Sequence, residues 1–354
     1  MLRKLEEKDN IDIQKLKKYL LEIEWLRDKD VTLEIDQFTN GYSNLTYQLT
    51  AGEQRCVLRR PPLGAIKRGH DMGREYKVQH ELRNVFKAVP EVYAYCDNLN
   101  VMGAPFYLME KVEGIILNLE AAQKRKISAP EFVAISQAWM DTWVELHKVD
   151  IRAAGLQNLG RPDAYVERQV TNWSSQYLKA ATMEISSVQH LIKWMEENQA
   201  RQYDHCLIHN DYRYDNVVFK DDSWTSINAV LDWEMCTIGD PLMDLGTTLG
   251  YWTMASDGPL DKIGIPSPTI MDGNPGRIAL AELYEKKSGR KVDHLVFYYV
   301  FGLFKIAVIA QQIFYRYDKG LTNNPKFAHL DKLAKFLCDM AWQAVQKNRI
   351  EDLV

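Results

Sequence analysis

The chain has 354 residues, of which 46% are hydrophobic and 26% are charged, and its formal net charge is −4. This balance excludes an intrinsically disordered chain and is typical of a globular protein with room for a sizeable core. A mildly acidic chain also does not have the basic balance that nucleic-acid-binding proteins show.

The cysteines and the first residues indicate a cytoplasmic protein. The five cysteines are odd in number and form no CxxC pair, which is typical of reduced thiols. Residues 1–10 are charged where a signal peptide would be apolar. The longest apolar run, residues 297–310, contains Lys305 and is too short to span a bilayer. The sequence therefore predicts a cytoplasmic location without a membrane span.

The first ~110 residues have the patterns of a small antiparallel sheet. Helical spacing of apolar residues predicts one helix over 11–27 and another over 70–87. Five segments have strand patterns bounded by turn residues, and the second helix follows the third of them. These segments lie at about 31–35, 45–49, 55–59, 92–95 and 106–111.

The rest of the chain is mainly helical. Ser128 and Glu131 have the spacing of a capping box, which predicts a helix start at that point. The predicted helices lie at about 128–146, 163–180, 184–201, 240–255, 277–288, 292–317 and 326–347, with short strands near 206–208, 217–219 and 227–232. We therefore predict an α+β fold with two domains, a β-rich lobe over 1–110 and a larger helical lobe over 111–354.

Residues 206–246 contain the most informative functional pattern. Asp211 follows a short apolar strand, Asn216 lies five residues further on, and Asp232 ends a later apolar strand. In phosphoryl transfer from a nucleotide, one carboxylate orients the attacking hydroxyl, while an amide and a second carboxylate bind magnesium. Oxygen ligands of this kind suit magnesium. The spacing predicts Asp211 as the base and Asn216 and Asp232 as the metal ligands.

Two neighbouring features are predicted to support that loop. Asp240 can cap a helix whose first residue is Pro241, and Asp244 lies one turn inside the same helix. We predict that this helix start buttresses the loop around Asp211. His209 is assigned a structural hydrogen-bonding role rather than a catalytic one.

The nucleotide side of the site is predicted in the β-rich lobe. The third strand contains Arg59 and the following helix contains Glu75. In kinases a cation on this strand grips the phosphates and a helix carboxylate holds the cation in place. The first hairpin has turn residues whose backbone amides can face phosphates, together with a serine hydroxyl. The hairpin candidates are Asn40, Gly41, Ser43 and Asn44.

With these residues assembled, the chain resembles the aminoglycoside phosphotransferase/choline kinase family over roughly residues 30–320. It is similar above all to the phosphotransferase modules that are fused to, or encoded with, acyl-CoA dehydrogenases. The motifs that carry the resemblance are HNDYRYDN (209–216), VLDWE (230–234) and GDPLMDLG (239–246), with weaker support from NGYSNLTY (40–47) and VLRRPP (57–62).

The resemblance implies a two-lobed protein-kinase-like fold, magnesium, and ATP or GTP as the phosphate donor. It gives Asp211, Asn216 and Asp232 the roles stated above and makes Arg59 and Glu75 the pair that grips the nucleotide. It also implies a hinge that faces the adenine through its backbone. The hinge candidates are Met109, Glu110 and Val112.

Two positions depart from the family pattern. Arg59 replaces the lysine of most kinases, and a forked guanidinium is not equivalent to an ammonium group. Asn210 stands where these relatives usually have glycine, and asparagine is less free than glycine in left-handed backbone conformations.

The acceptor is predicted from charge. Residues 276–354 contain 13 Lys and Arg against 8 Asp and Glu, which suits a neutral or anionic acceptor such as a hydroxyacyl-CoA. Arg213 and Glu234 are the acceptor-binding candidates, and Arg277 and Arg290 are among the further cations available to an anion. An acyl-CoA dehydrogenase pathway partner is a related expectation. The alternatives are an aminoglycoside or amino-alcohol kinase, and a catalytically silent kinase-like nucleotide-binding module.

Overall fold

The structure is a computed structural model that describes residues 2–5, 11–39, 44–62, 71–201, 203–258 and 266–353. The chain divides into two compact units. Unit 1 comprises Met1–Gly114, Arg152–Leu156 and Asn228–Cys236, and unit 2 comprises Ile115–Ile151, Gln157–Ile227 and Thr237–Val354.

The segment Asn228–Cys236 differs from the predicted division, which assigns it to the C-terminal lobe. Its contacts explain why it belongs to unit 1. The amide of Val230 donates to the carbonyl of Ala88 at 2.9 Å. The guanidinium of Arg74 donates to the carbonyls of Glu234, at 3.2 Å, and Cys236. These hydrogen bonds fix a segment that is distant in sequence to the first unit.

Unit 1 contains an antiparallel sheet of six strands in the order β1-β2-β3-β4-β6-β5. The strands are β1 (Leu2–Lys4), β2 (Leu33–Phe38), β3 (Leu45–Ala51), β4 (Gln54–Arg60), β5 (Val92–Cys96) and β6 (Phe106–Glu110). Five of them were predicted. Strand β1 was not, because its three residues have no alternation to detect; pairing of Leu2 with Phe38 is what makes it a strand.

The helices of unit 1 are α1 (Ile13–Glu22), α2 (Met72–Leu82) and α3 (Leu99–Met102). Leu16 and Leu20 of α1 are fully buried in a core that includes Tyr47 and Leu49 of β3. Burial of each leucine contributes about 1.5–3 kcal/mol. Helix α1 is shorter than the predicted range, and the short α3 was missed because four residues contain only one helical turn.

Unit 2 is mainly helical. Its helices are α4 (Leu119–Arg125), α5 (Ala129–His147), α6 (Tyr165–Ala180), α7 (Ser186–Asn198), α8 (Pro241–Tyr251), α9 (Arg277–Ser288), α10 (Leu295–Asp318) and α11 (Leu330–Lys347). The capping box at Ser128 and Glu131 is present, as predicted. Helix α4 was not predicted.

Short strand pairs complete the framework of unit 2. Strand β7 (Ile115–Ile116) pairs with β9 (Val217–Phe219), and β8 (Cys206–Ile208) pairs with β11 (Thr237–Gly239), both antiparallel. Strand β10 (Ile227–Val230) leads into the segment that belongs to unit 1. The pairing of β8 with β11 brings the residues that follow β8 to the start of α8.

Helix α10 lies at the centre of unit 2 and packs against α6, α8 and α11. Its approach to α8 requires glycine, because a Cβ on Gly302 would lie 2.0 Å from the carbonyl oxygen of Gly246. The helix predicted over 292–317 is present, but the expectation that its apolar run is too short to span a bilayer was wrong: at 24 residues α10 is long and apolar enough to cross a membrane. However, 78% of its most apolar window is buried inside the chain, which is the burial of a core helix.

Candidate active site

The loop between β8 and β9 holds Asp211 in a fixed orientation. Asn216 uses its amide nitrogen twice, donating to the Asp211 carboxyl at 2.7 Å and to the Asp211 carbonyl at 2.8 Å. Arg213 contacts the other carboxyl oxygen of Asp211, with its Nε 3.0 Å from Oδ1. Because both hydrogen bonds of Asn216 use Nδ2, its amide oxygen is the atom that it can offer to a cation.

Asp244 organises the start of this loop from α8, as the sequence predicted. It is fully buried and accepts the backbone amides of His209, at 3.0 Å, and Asn210, at 2.6 Å. It also accepts Nε1 of Trp143 at 3.1 Å and contacts Nε2 of His147 at 3.0 Å. A buried carboxylate with four donors is fully satisfied, so it can hold the loop rigidly.

The protonation states of this network follow from burial and charge. Burial alone would raise the pKa of Asp244, but the hydrogen bonds from His147 and from the backbone amide of His209 help to outweigh it and lower that pKa. Burial lowers the pKa of His147, against the opposing effect of Asp244. A neutral His147 therefore donates from Nε2 to Asp244 and accepts the Tyr284 hydroxyl at Nδ1, over 2.8 Å.

The loop backbone is left-handed at Asn210, with φ of +67°. Glycine adopts this conformation more easily than other residues do. The backbone at position 210 therefore favours the glycine of the family pattern. Asparagine is among the residues that tolerate this region. His209 has a structural contact in the same loop, since its Nδ1 accepts the Asp211 amide at 3.3 Å.

Unit 1 contains the second group of predicted residues, gathered around one guanidinium. Arg59 of β4 lies 2.5 Å from Asp232, 3.2 Å from Glu234 and 3.3 Å from Glu75 of α2. Burial opposes the charge on Arg59, but the carboxyl groups of Asp232 and Glu75 outweigh it and raise the pKa of Arg59. The predicted pair of strand cation and helix carboxylate is therefore formed.

The carboxyl groups of this cluster are the kind of ligand that magnesium takes, but among the described residues no group of three or more His, Cys, Asp or Glu side chains is arranged as a metal site. Glu75, Asp232 and Glu234 all lie within 3.3 Å of the guanidinium of Arg59, and burial raises the pKa of Glu75. Asp232 also has a left-handed backbone, with φ of +65°, a conformation common at functional turns.

Glu234, a predicted acceptor-binding residue, lies beside the nucleotide-binding candidates of unit 1. Its carboxyl group accepts Nδ2 of Asn44 at 2.7 Å and contacts Arg59. Its contact with the acceptor stays a prediction. Asn44, a predicted phosphate-binding residue, thus shares the Arg59 cluster. The other three hairpin candidates, Asn40, Gly41 and Ser43, lie outside the described residues.

The predicted hinge follows β6. Met109 and Glu110 end this strand, and Val112 lies in the irregular segment after it. The amide of Glu110 donates to the carbonyl of Glu91 at 2.7 Å, so that amide is already used within unit 1. Contact of this segment with a base stays a prediction.

A cleft in unit 2 opens beside Arg213. It has a volume of about 40 Å³, and Arg213 stacks on Tyr251 in its wall, 4.6 Å from the ring centre. Among the described residues, the only carboxylate of its wall is Asp215, which is paired with Arg213 at 3.3 Å. The other residues of the wall are Asn118, Tyr212, Tyr214, Thr248, Trp252, Pro266, Ser267, Pro268 and Thr269.

Arg277 and Arg290, which the sequence suggested as contacts for an anionic acceptor, already have acidic partners. Arg277 is fully buried and forms a two-point ion pair with Asp257, one of whose contacts measures 2.9 Å. It is a core residue and not a surface cation, so its proposed role was wrong. Arg290 lies 3.5 Å from Asp204 and donates to the carbonyl of His147.

Comparison with known proteins agrees with this geometry. The phosphotransferase enzyme family model matches residues 34–265, so the chain belongs to that family. The predicted kinship with aminoglycoside phosphotransferases and the class of phosphotransferase acting on an alcohol group are confirmed. The predicted protein-kinase-like fold is confirmed too, and a choline kinase structure from Cryptosporidium parvum, 13% identical with a TM-score of 0.60, has the same fold.

Three relatives illustrate the similarity. Acyl-CoA dehydrogenase family member 11 of Gallus gallus is 34% identical over 338 residues, which are 91% of this chain and 42% of that protein. A crystal structure from Ralstonia eutropha JMP134, assigned as an aminoglycoside phosphotransferase, has a TM-score of 0.78 and 29% identity and covers 95% of this chain and 98% of its own. The streptomycin–ATP complex of APH(2")-IIa has a TM-score of 0.58 and 18% identity, with coverage of 93% and 99%. The chain thus spans less than half the length of that curated relative.

Proposed function

We propose that this chain is a cytoplasmic, magnesium-dependent small-molecule kinase that transfers the γ-phosphate of ATP to a hydroxyl group of a metabolite. The observation that carries the proposal is the double restraint on Asp211, whose carboxyl group is held by Asn216 and Arg213 at hydrogen-bonding distance. A carboxylate fixed in this way can receive the proton of an attacking hydroxyl. A phosphate donor is supported by the ATP in the complex of APH(2")-IIa.

The residues divide the work according to their chemistry. Asp211 hydrogen-bonds the acceptor hydroxyl and takes its proton as the phosphoryl group transfers. Arg59, held by Glu75, grips the phosphates, and the hairpin and hinge candidates contact the nucleotide. Asn216 and Asp232 are the ligands of magnesium, which when bound neutralises charge on the phosphates.

For the acceptor we propose a neutral or anionic molecule with a hydroxyl group, of which a hydroxyacyl-CoA is one class. The cleft beside Arg213 is aromatic and hydroxylic, and its one described carboxylate is already paired. A polycationic drug would require carboxylates without such partners. A volume of about 40 Å³ has room for a small polar group such as the hydroxyl-bearing end of the acceptor.

The relatives give this acceptor class independent support. In the Gallus gallus protein, the region similar to this chain belongs to a polypeptide named for acyl-CoA dehydrogenase activity. Phosphorylation of a hydroxyacyl-CoA would then occur beside enzymes that handle acyl-CoA, which makes an acyl-CoA dehydrogenase the proposed pathway partner.

A coupled assay of ADP release over three acceptor classes tests the proposal. We expect turnover with hydroxyacyl-CoAs, little with amino alcohols or aminoglycosides, and a product that is heavier by one phosphoryl group. Acyl-CoAs without the hydroxyl serve as the matched control and should give no product. Turnover with aminoglycosides alone would refute the acceptor class, and absence of turnover with every acceptor would refute the kinase.

Replacing Asp232 with asparagine should weaken binding of magnesium–ATP at least ~10-fold, because an amide is a poorer magnesium ligand than a carboxylate. Binding of ATP in EDTA should be unchanged or tighter, since the substitution also releases Arg59 from its ion pair. Titration calorimetry with and without magnesium measures both. Glu53→Gln, in an exposed turn of unit 1, is the control. An equal loss in EDTA would contradict the assignment of Asp232 as a metal ligand.

A further inference from the structure

Lys305 of α10 is a buried cation without a carboxylate partner within 4 Å among the described residues. Its side chain is 2% exposed, and Nζ donates to the carbonyl of Asn210 at 2.9 Å. It also lies 3.3 Å from the amide oxygen of Asn210 and 3.4 Å from the hydroxyl of Thr247. The ring of Trp173, in α6, lies 5.8 Å away. Neutral oxygens and one aromatic ring therefore form its surroundings.

Such a residue costs stability. Burial lowers the pKa of Lys305 to about 8, although Asp244 of α8 and Asp211 of the loop attract its charge. These two are the charged groups that face it, and α6 contributes the Trp173 ring. An apolar side chain of similar volume is often as good or better at a buried charged position. A contribution to the site would explain why a lysine is present in this core helix.

The contacts of Lys305 converge on the residue before Asp211. The amide of Asn210 donates to Asp244 at 2.6 Å, while its carbonyl accepts from Lys305. Asn210 is thus held from both sides in its left-handed conformation. The peptide group whose carbonyl contacts Lys305 is the one that joins Asn210 to Asp211, so its orientation sets the direction in which Asp211 leaves the turn.

We propose that Lys305 is a positioning residue: its ammonium group fixes the Asn210–Asp211 peptide and thereby the carboxyl group of Asp211. The consequence for turnover rests on the proposed function of Asp211 as the base. The effect of Lys305 on the loop conformation does not depend on that function. The positioning role and the proposed function can therefore be refuted separately.

Lys305→Met tests the loop first, without any assay of activity. We expect faster amide hydrogen exchange in the segment 207–213 and a melting temperature that is unchanged or higher. The matched control is Gln311→Met, which removes a buried polar group from the same helix. Gln311 lies six residues after Lys305 and donates to Ala180 and Thr182 rather than to the loop, so its variant should leave exchange at 207–213 unchanged.

Turnover supplies the second measurement. We expect kcat of Lys305→Met to fall roughly 10–100-fold with little change in KM for ATP, because a small misplacement of a reacting group has effects of that order. In the wild type, kcat should also fall as pH rises through about 8, where Lys305 loses its proton. The variant should lack this fall.

The contribution of Lys305 to the free energy of unfolding should rise with pH, whereas its contribution to kcat should fall. This difference separates a positioning role from a structural one. The folded-state pKa of Lys305, about 8, lies below its ordinary value of 10.5. Between these values the unfolded chain binds the extra proton, so this group's contribution to the free energy of unfolding rises with pH. The wild type should therefore gain stability relative to Lys305→Met over the range in which it loses its advantage in turnover.

Unchanged exchange at 207–213 would overturn the proposal, and so would faster exchange with unchanged kcat and pH profile. If the wild type turned over no acceptor, the proposed function would fail, and the exchange result alone would then decide whether Lys305 fixes the loop.

Discussion

Replacing Asp211 with alanine should lower kcat by about 10²–10⁴-fold, the range that a positioned general base contributes. Nucleotide affinity should stay within about twofold, because Asp211 hydrogen-bonds the loop residues Asn216 and Arg213 and has no proposed contact with the phosphates. Steady-state kinetics with the acceptor from the screen and calorimetry with magnesium–ATP measure the two effects. Asp211→Asn should show the same loss of kcat, because an amide keeps the shape of the side chain but cannot take the proton of the acceptor hydroxyl.

The control for this prediction is Asp222→Ala, which removes the same charge from a side chain that is 78% exposed. Its kcat should match the wild type. Unchanged turnover in Asp211→Ala would refute its assignment as base, and a parallel loss of nucleotide affinity would show that Asp211 acts in binding rather than in proton transfer.

Replacing Asp244 with alanine should lower the free energy of unfolding by about 3–5 kcal/mol, the range found when one member of a buried, hydrogen-bonded charge network is removed. Four donors, including the amides of His209 and Asn210, would be left unsatisfied in a place without exposure. Urea denaturation measures the loss of stability. Amide exchange at His209 and Asn210 should rise and kcat should fall, because Asp211 follows directly in the chain.

Asp240→Ala is the matched control, since Asp240 is buried at the start of the same helix. It accepts the amide of Leu242 at 2.8 Å and the hydroxyl of Tyr298 at 2.7 Å, and it makes no hydrogen bond to the loop among the contacts of the described residues. Its loss should reduce stability but leave exchange at His209 and Asn210 unchanged. A change below ~1 kcal/mol in Asp244→Ala, or equal exchange in both variants, would contradict the role of Asp244.

The parts of the site that could be predicted are those that local sequence determines. Asp211 and Asn216 are five residues apart in one loop, and a loop of that length brings an amide back to a carboxyl group. The cap at Asp240 was equally local. Arg59 and Glu75 were predicted because the kinase pattern places a cation on one element and a carboxylate on the next, and their 3.3 Å contact agrees with that pattern.

Contacts between distant segments could not be predicted from spacing. His147 of α5 contacts Asp244, and Tyr284 of α9 contacts His147 in turn, but no local pattern marks a buried histidine as part of a loop support. In the sequence, Lys305 was visible only as a charge within an apolar run, and nothing indicated its contact with Asn210. The contact of Glu234 with Asn44, which is 190 residues away in the chain, was likewise not visible in the sequence.

The most direct test of the account is phosphorus NMR of the wild type and Asp211→Ala, each incubated with magnesium–ATP and a hydroxyacyl-CoA. We predict ADP and a new phosphomonoester signal in equal amounts with the wild type, and neither at a comparable rate with the variant. Release of ADP with inorganic phosphate alone, or the same phosphomonoester yield from both proteins, would contradict phosphoryl transfer to an acceptor hydroxyl through Asp211.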